Sequence, residues 1–235
     1  SPAIAVPSNQ PLETEQEGGM KVTSEALKVA QGEITDVVIN ARKTFQKFTT
    51  GDKPLIPESA LHGAQCAIVF PEVTRVAVVV GGQHGDGVAT CRGADDKWSG
   101  IGFVDLRGAS IGAQLGVKSS SVVVLLNNQN AAEQLKKGKM RFAADVSYAF
   151  NNQGAEKEMA TDKTTDVKVY SDTGGAFASA SLKGSYIVAD DEEIQKFYKD
   201  EVKTLYAALS AVPAENSTAE VKELLVLLPS ESSAS

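Results

Sequence analysis

Residues 98–126 read WSGIGFVDLRGASIGAQLGVKSSSVVVLL, and the fold turns on them. Three runs, Trp98-Leu106, Ala109-Val117 and Ser121-Leu126, are β-branched or alternate apolar with polar, as strands do. Glycine recurs inside them at Gly100, Gly102, Gly108, Gly112 and Gly116. A glycine inside a strand costs stability unless the sheet bends sharply or another backbone comes close. The stretch therefore predicts a strongly curved, barrel-like sheet.

Working outward, six more runs share this texture: Cys66-Phe70, Thr74-Val80 and Gly87-Arg92 before it, and Arg141-Phe150, Asp166-Ser171 and Gly175-Val188 after it. Nine short strands so close together favour antiparallel hairpins, because parallel crossovers need a dozen or more residues each. The clusters Gly81-Gly87 and Ala94-Lys97 read as turns. In Arg141-Phe150, Phe142, Val146, Tyr148 and Phe150 stand against Arg141, Asp145 and Ser147, so one face of that strand is wet.

Helical periodicity flanks the strands. From Thr23 to about Thr49, Ala26, Ala30, Ile34, Val37, Val38, Ala41, Phe45 and Phe48 form one stripe. Acidic residues lie early and Arg42, Lys43 and Lys47 late, which suits the helix dipole. A short helix over Asn130-Lys137 stops at Gly138. Another starts at Asp190 with Ile194, Phe197, Val202, Leu205 and Leu209 on one side. A last one starts at Ser217, spaced from Glu220 as a capping box, and ends near Leu228. The expected fold is α+β, a curved antiparallel sheet flanked by amphipathic helices. Residues 1–20 read as a disordered leader, 21–229 as a single domain and 230–235 as a disordered tail.

Composition excludes several classes. Among 235 residues, 42% are apolar and 23% charged, a globular balance. No apolar run approaches the ~20 residues that span a bilayer. No amino-terminal targeting signal is visible, so any signal peptide is absent from this sequence. The net charge of -7 argues against generic nucleic-acid binding. Only 21–54 is net positive, with six basic and four acidic residues. Two cysteines, Cys66 and Cys91, and two histidines offer neither a disulfide framework nor a metal cluster. One bridge between them is open in an oxidising compartment, against two buried thiols. No metal or cofactor is expected.

Chemistry-bearing motifs are sparse. Gly108-Ala109-Ser110-Ile111-Gly112 matches a hydrolase nucleophile elbow, which needs strand, sharp turn and helix, with its histidine following the serine. His62 and His84 both precede Ser110, and strand-like alternation continues after it, so a serine esterase is the weakest reading. The cluster Gly81-Gly87 lacks the Lys-Ser/Thr of a phosphate loop. His84 beside Asp86 reads as a solvated turn rather than a proton-transfer pair, and Asn216-Ser217-Thr218 as a helix start rather than a glycosylation site. Arg42, Lys43 and Lys47 suit either a solvated helix face or an anionic lipid surface.

Together, Ala67-Ile68-Val69-Phe70-Pro71, Val78-Val79-Val80-Gly81-Gly82, Gly85-Asp86-Gly87-Val88, Trp98-Ser99, Gly108 to Gly116 and Gly138-Lys139 leading into Ala143-Ala144-Asp145-Val146 resemble the SYLF domain over about residues 23–210. The resemblance implies a non-enzymatic lipid-binding module, found in bacterial envelope proteins and in eukaryotic adaptors that bind phosphoinositides and sometimes actin filaments. It implies fold-forming roles for Gly81, Gly82, Gly87, Gly112 and Gly116. It also implies membrane contact by the first helix, whose candidate residues here are Lys28, Arg42, Lys43 and Lys47 with the apolar Phe45 and Phe48. A chain of 235 residues leaves no room for a fused signalling module, which favours the stand-alone bacterial type. No cysteine near Ser1 offers lipid attachment. The expectation is a phospholipid-binding protein of the cell envelope, periplasmic or membrane-associated, or secreted. A protein-interaction module of the actin-filament type is the alternative.

Overall fold

The computed structural model describes residues 35–142, 146–151, 156–182 and 184–230. The leader, Lys28, the start of the first predicted helix and residues 231–235 lie outside them.

The scaffold is a two-stranded ribbon folded back on itself. Strands β1 (Cys66–Cys91) and β2 (Gly102–Leu126) pair antiparallel from Cys66↔Leu126 to Ala89↔Gly102. Laid straight, β1 would run roughly 85 Å. Its two ends instead meet: Cys66 and Cys91 form a disulfide with Cα atoms 4.0 Å apart, and Arg92 N donates to Gln65 O at 2.7 Å. Register shifts between Phe70 and Val73 and between Ala77 and Val79 help the ribbon turn. Where its limbs meet, a Cβ on Gly87 would lie 2.6 Å from Phe70 Cδ1 and 2.7 Å from Val69 O, and one on Gly85 would lie 2.8 Å from Glu72 O. Only glycine fits there.

Strand β2 carries the rest of the sheet on its other edge. Its first part pairs with β6 (Ser185–Ala189), which pairs with β3 (Lys139–Arg141); its last part pairs with β5 (Val167–Ser171). The expected α+β fold with a curved, largely antiparallel sheet is formed; among the described residues, strand β4 (Tyr148–Phe150) alone runs parallel to its neighbour β5, which makes the six-stranded sheet mixed at that edge. Gly108 lies between Gln83 and Ser185 on one rung, and without a side chain there Gln83 Nε2 reaches across β2 to Ser185 Oγ.

Helices cover the sheet. Helix α1 (Asp36–Thr49) packs on β1, and α2 (Glu58–Gly63) leads into it. The buried Arg92 guanidinium donates to Ala64 O and Leu61 O at the end of α2 and lies 4.4 Å from the Trp98 ring. Helix α3 (Gln129–Lys136) is capped by Asn128 and closed by Gly138 at φ +96°. Helices α4 (Glu156–Thr161), α5 (Gly175–Leu182), α6 (Asp191–Phe197), α7 (Leu205–Ala211) and α8 (Ala219–Leu225) follow. Gly102 admits α7: a Cβ there would lie 2.4 Å from Leu205 Cδ1.

Several expected elements differ. Six of the nine expected strands fuse into β1 and β2, because register shifts and glycines bend a strand without ending it. Gly81-Gly87 is therefore strand interior rather than a turn, whereas Ala94-Lys97 does turn, with Asp96 at φ 65°. Residues 175–188 split into α5 and β6, since alanine-rich 175–182 favours helix. Residues 141–150 divide between β3 and β4, with 143–145 outside the described residues. The helix from Asp190 breaks at Lys199 and Asp200, both left-handed, giving α6 and α7. Thr218, not Ser217, precedes α8.

Candidate functional site

Helix α1 turns its stripe inward. Phe45 and Phe48 are 1% exposed and pack with Val38 and Ala41 in the hydrophobic core. Their place as lipid-facing residues is corrected, because the energy of burying them is already used in holding α1 to the sheet. Among its basic residues, Arg42 donates to Gln46 Oε1 at 2.9 Å and pairs with Glu223 of α8 at 3.5 Å. Lys43 is exposed, beside Ile39 at 37% exposure. Lys47 lies 3.8 Å from Asp172 Oδ2.

Asp172 leads to a second group of cations that sequence reading missed. Its Oδ1 accepts from Ser121 N at 3.0 Å and from Ser120 Oγ. Thr173 Oγ1 donates to Ser120 Oγ at 2.9 Å, which ties the start of α5 to β2. Beside this network, Arg75, Lys118, Ser119, Thr173, Ala176 and Phe177 line a cleft of about 490 Å³. Arg75 and Lys118 are cross-strand partners. Like charges directly opposite destabilise a sheet. The Arg75 Nε is moreover buried without a hydrogen-bond partner.

On the next rung Val76 faces Val117, and they are 36% and 68% exposed. Successive residues of a strand point to opposite faces. One face of the ribbon thus presents two valines to solvent while the other turns two cations toward Thr173 and Phe177. Two cations suit a phosphate, and exposed valines suit an apolar phase. The pairing of positions 75 and 118 is a product of register, and no local motif marks it.

The remaining sequence candidates are scattered. The backbone of Ser110 lies within β2, paired with Gly81, so the strand–turn–helix of a nucleophile elbow is not formed there. His62 pairs with Glu58 at 3.4 Å, and His84 stands exposed opposite Arg107. Cys66 and Cys91 are bridged. Among the described residues, no group of three or more His, Cys, Asp or Glu could hold a metal ion, and no helix is long and apolar enough to cross a membrane.

A family model described as "Ysc84: Las17-binding protein actin regulator" matches residues 107–230, which include Lys118, Ser119, Thr173 and Phe177. The human SH3 domain-containing YSC84-like protein 1 is 25% identical over 193 residues, covering 79% of this chain and 56% of that protein. LAS seventeen-binding protein 3 of Saccharomyces cerevisiae is 28% identical over 155 residues, covering 64% of this chain and 34% of that protein. The chain thus spans little more than half the length of the first relative and a third of the second. No solved structure matches. With more than half of its length under that model, the chain belongs to the Ysc84 family, the SYLF-domain proteins.

Proposed function

We propose that the chain is a binding module for anionic phospholipid, acting without covalent chemistry. The observation that carries this reading is the ribbon itself: the Arg75–Lys118 pair on one face and the exposed Val76–Val117 pair on the other. A phosphate headgroup would sit with Arg75 and Lys118 beside Thr173, while the valines enter the acyl boundary. Lys43 and Lys47 add charge at the rim. Each basic residue near an anionic leaflet contributes about 1 kcal/mol. Adding about 1.5 kcal/mol for each valine brings the sum to roughly 7 kcal/mol, a weak and reversible contact.

The test is flotation with neutral and anionic vesicles at low salt. Wild type should float with anionic vesicles alone, and R75E/K118E should lose that association with its fold intact by circular dichroism. Equal flotation of wild type and variant would overturn the assignment. The Cys66–Cys91 bridge favours an oxidising compartment, in keeping with the cell envelope or secretion.

A second reading rests on the family. Relatives are named for binding Las17, so the same cationic ribbon could dock on an acidic protein surface instead. Co-sedimentation with actin filaments, in the absence of vesicle flotation, would favour it.

A further inference from the structure

A second face of the sheet carries a different set of charges. Register across β1, β2, β6 and β3 aligns His84, Arg107, Tyr186 and Arg141 on one rung. It aligns Asp86, Asp105, Val188 and Lys139 on the next rung of the same face. The Tyr186 ring is covered by cations, with Lys139 Nζ at 4.4 Å and Arg141 Cζ at 5.7 Å from its centroid. Asp86, Asp105, Arg107, Arg141 and Tyr186 line one cleft of about 630 Å³.

Asp105 is the unusual member. It is only 7% exposed; its Oδ2 accepts from Arg107 at 3.2 Å, while its Oδ1 is buried without a partner. The Asp86 carboxyl lies within hydrogen-bonding reach of it, and two carboxyls share such a contact only when one is protonated or a donor lies between them. Burial, the Asp86 contact and the Asp190 charge at the start of α6 together raise the Asp105 carboxyl to about 6. A buried carboxylate oxygen facing another carboxylate suits a cation rich in donors, and the neighbouring arginines and lysine suit its anionic end.

We propose that this face binds an aminoalkyl phosphate, a primary ammonium held by Asp86 and Asp105 and a phosphate held by Arg107, Arg141 and Lys139. The primary amine matters because it brings N–H donors to both carboxylates, which a quaternary ammonium cannot. The site is separate from the Arg75–Lys118 cleft and stands without it.

The experiment is an NMR titration of the intact chain near neutral pH with glycerophosphoethanolamine, glycerophosphocholine and glycerol phosphate. Glycerophosphoethanolamine should bind at least tenfold more tightly than either of the others and shift the amides of Asp86, Asp105, Arg107 and Arg141. Asp105→Asn should weaken it tenfold or more, and so should Arg141→Gln, an exposed change that leaves the core untouched. R75E/K118E should leave it unchanged, so that failure here and failure of the phospholipid reading are told apart. Equal binding of the choline and ethanolamine esters, equal binding of glycerol phosphate, or no binding at millimolar ligand would each overturn the proposal. Flotation with phosphatidylethanolamine in neutral vesicles would assign the source to lipid. Binding of the free ester without flotation would assign it to a soluble aminoalkyl phosphate.

Discussion

Adding one methyl group at Gly87 should cost more than removing many groups elsewhere. The new Cβ would meet Phe70 Cδ1 at 2.6 Å, Val69 O at 2.7 Å and Phe70 Cε1 at 2.8 Å. The ring can turn away; the carbonyl is held in the β1–β2 ladder, where Val69 pairs with Val123. Overpacking of a tight interior costs about 1–3 kcal/mol, and a clash with fixed backbone belongs at the upper end, about 3 kcal/mol. For a chain of this size that lowers Tm by about 6–12 °C. Urea denaturation followed by circular dichroism reads it as a fall in midpoint at constant m. Gly82→Ala is the control, since its Cβ would meet nothing nearer than Gly108 O at 3.6 Å. That change should be neutral or stabilising by up to about 1 kcal/mol, through loss of unfolded-chain entropy. In a Phe70→Leu background the Gly87→Ala cost should shrink but persist, because the carbonyl contact remains. A cost within about 0.5 kcal/mol of zero for Gly87→Ala would refute the folding of one limb of β1 over the other.

Other consequences follow from the same geometry. Replacing Cys66 and Cys91 by alanine releases a loop of sequence separation 25, and chain entropy puts the loss at about 3.5 kcal/mol; denaturation with and without reductant measures it, and coincident curves would contradict it. The Asp105 carboxyl rises from 3.8 to about 6, with burial as the main cause, then Asp86 and Asp190. The folded state thus holds that proton more tightly than the unfolded chain. Its stabilising effect is complete below about pH 4 and is lost as pH rises toward 6. Asp105→Asn should flatten that slope and raise stability near pH 7, by an order of 1 kcal/mol after solvent screening; a steeper slope in the variant would contradict the sign. Gly102→Ala should lift α7 from the sheet, since its Cβ would lie 2.4 Å from Leu205 Cδ1, and Trp98 fluorescence should report it together with a lower midpoint. Unchanged fluorescence and midpoint would contradict that packing.

Curvature was legible because strand glycines have few uses. Gly100, Gly102 and Gly108 each turn out to face an atom that leaves no space for a side chain, whereas Gly85 and Gly87, read as part of a turn, do the same inside β1. The apolar stripe of α1 was legible too, but its destination was not: periodicity says that Phe45 and Phe48 share a side, not whether lipid or β1 covers it. Strand ends were hidden because a bulge bends a strand without breaking its alternation, as between Phe70 and Val73. Both candidate binding faces depend on register. Arg75 meets Lys118, and Asp86 meets Asp105, only once β1 and β2 are aligned over their whole length. No local pattern carries that alignment; the disulfide between Cys66 and Cys91, left open by the sequence, helps to hold it.

Hydrogen–deuterium exchange with and without anionic vesicles tests the functional claim most directly. Protection should concentrate at 72–76 and 117–121, with a smaller effect at 43–47, and should vanish with neutral vesicles. Protection elsewhere on the chain, with those segments exchanging as in free protein, would contradict the assignment of the ribbon as the binding surface.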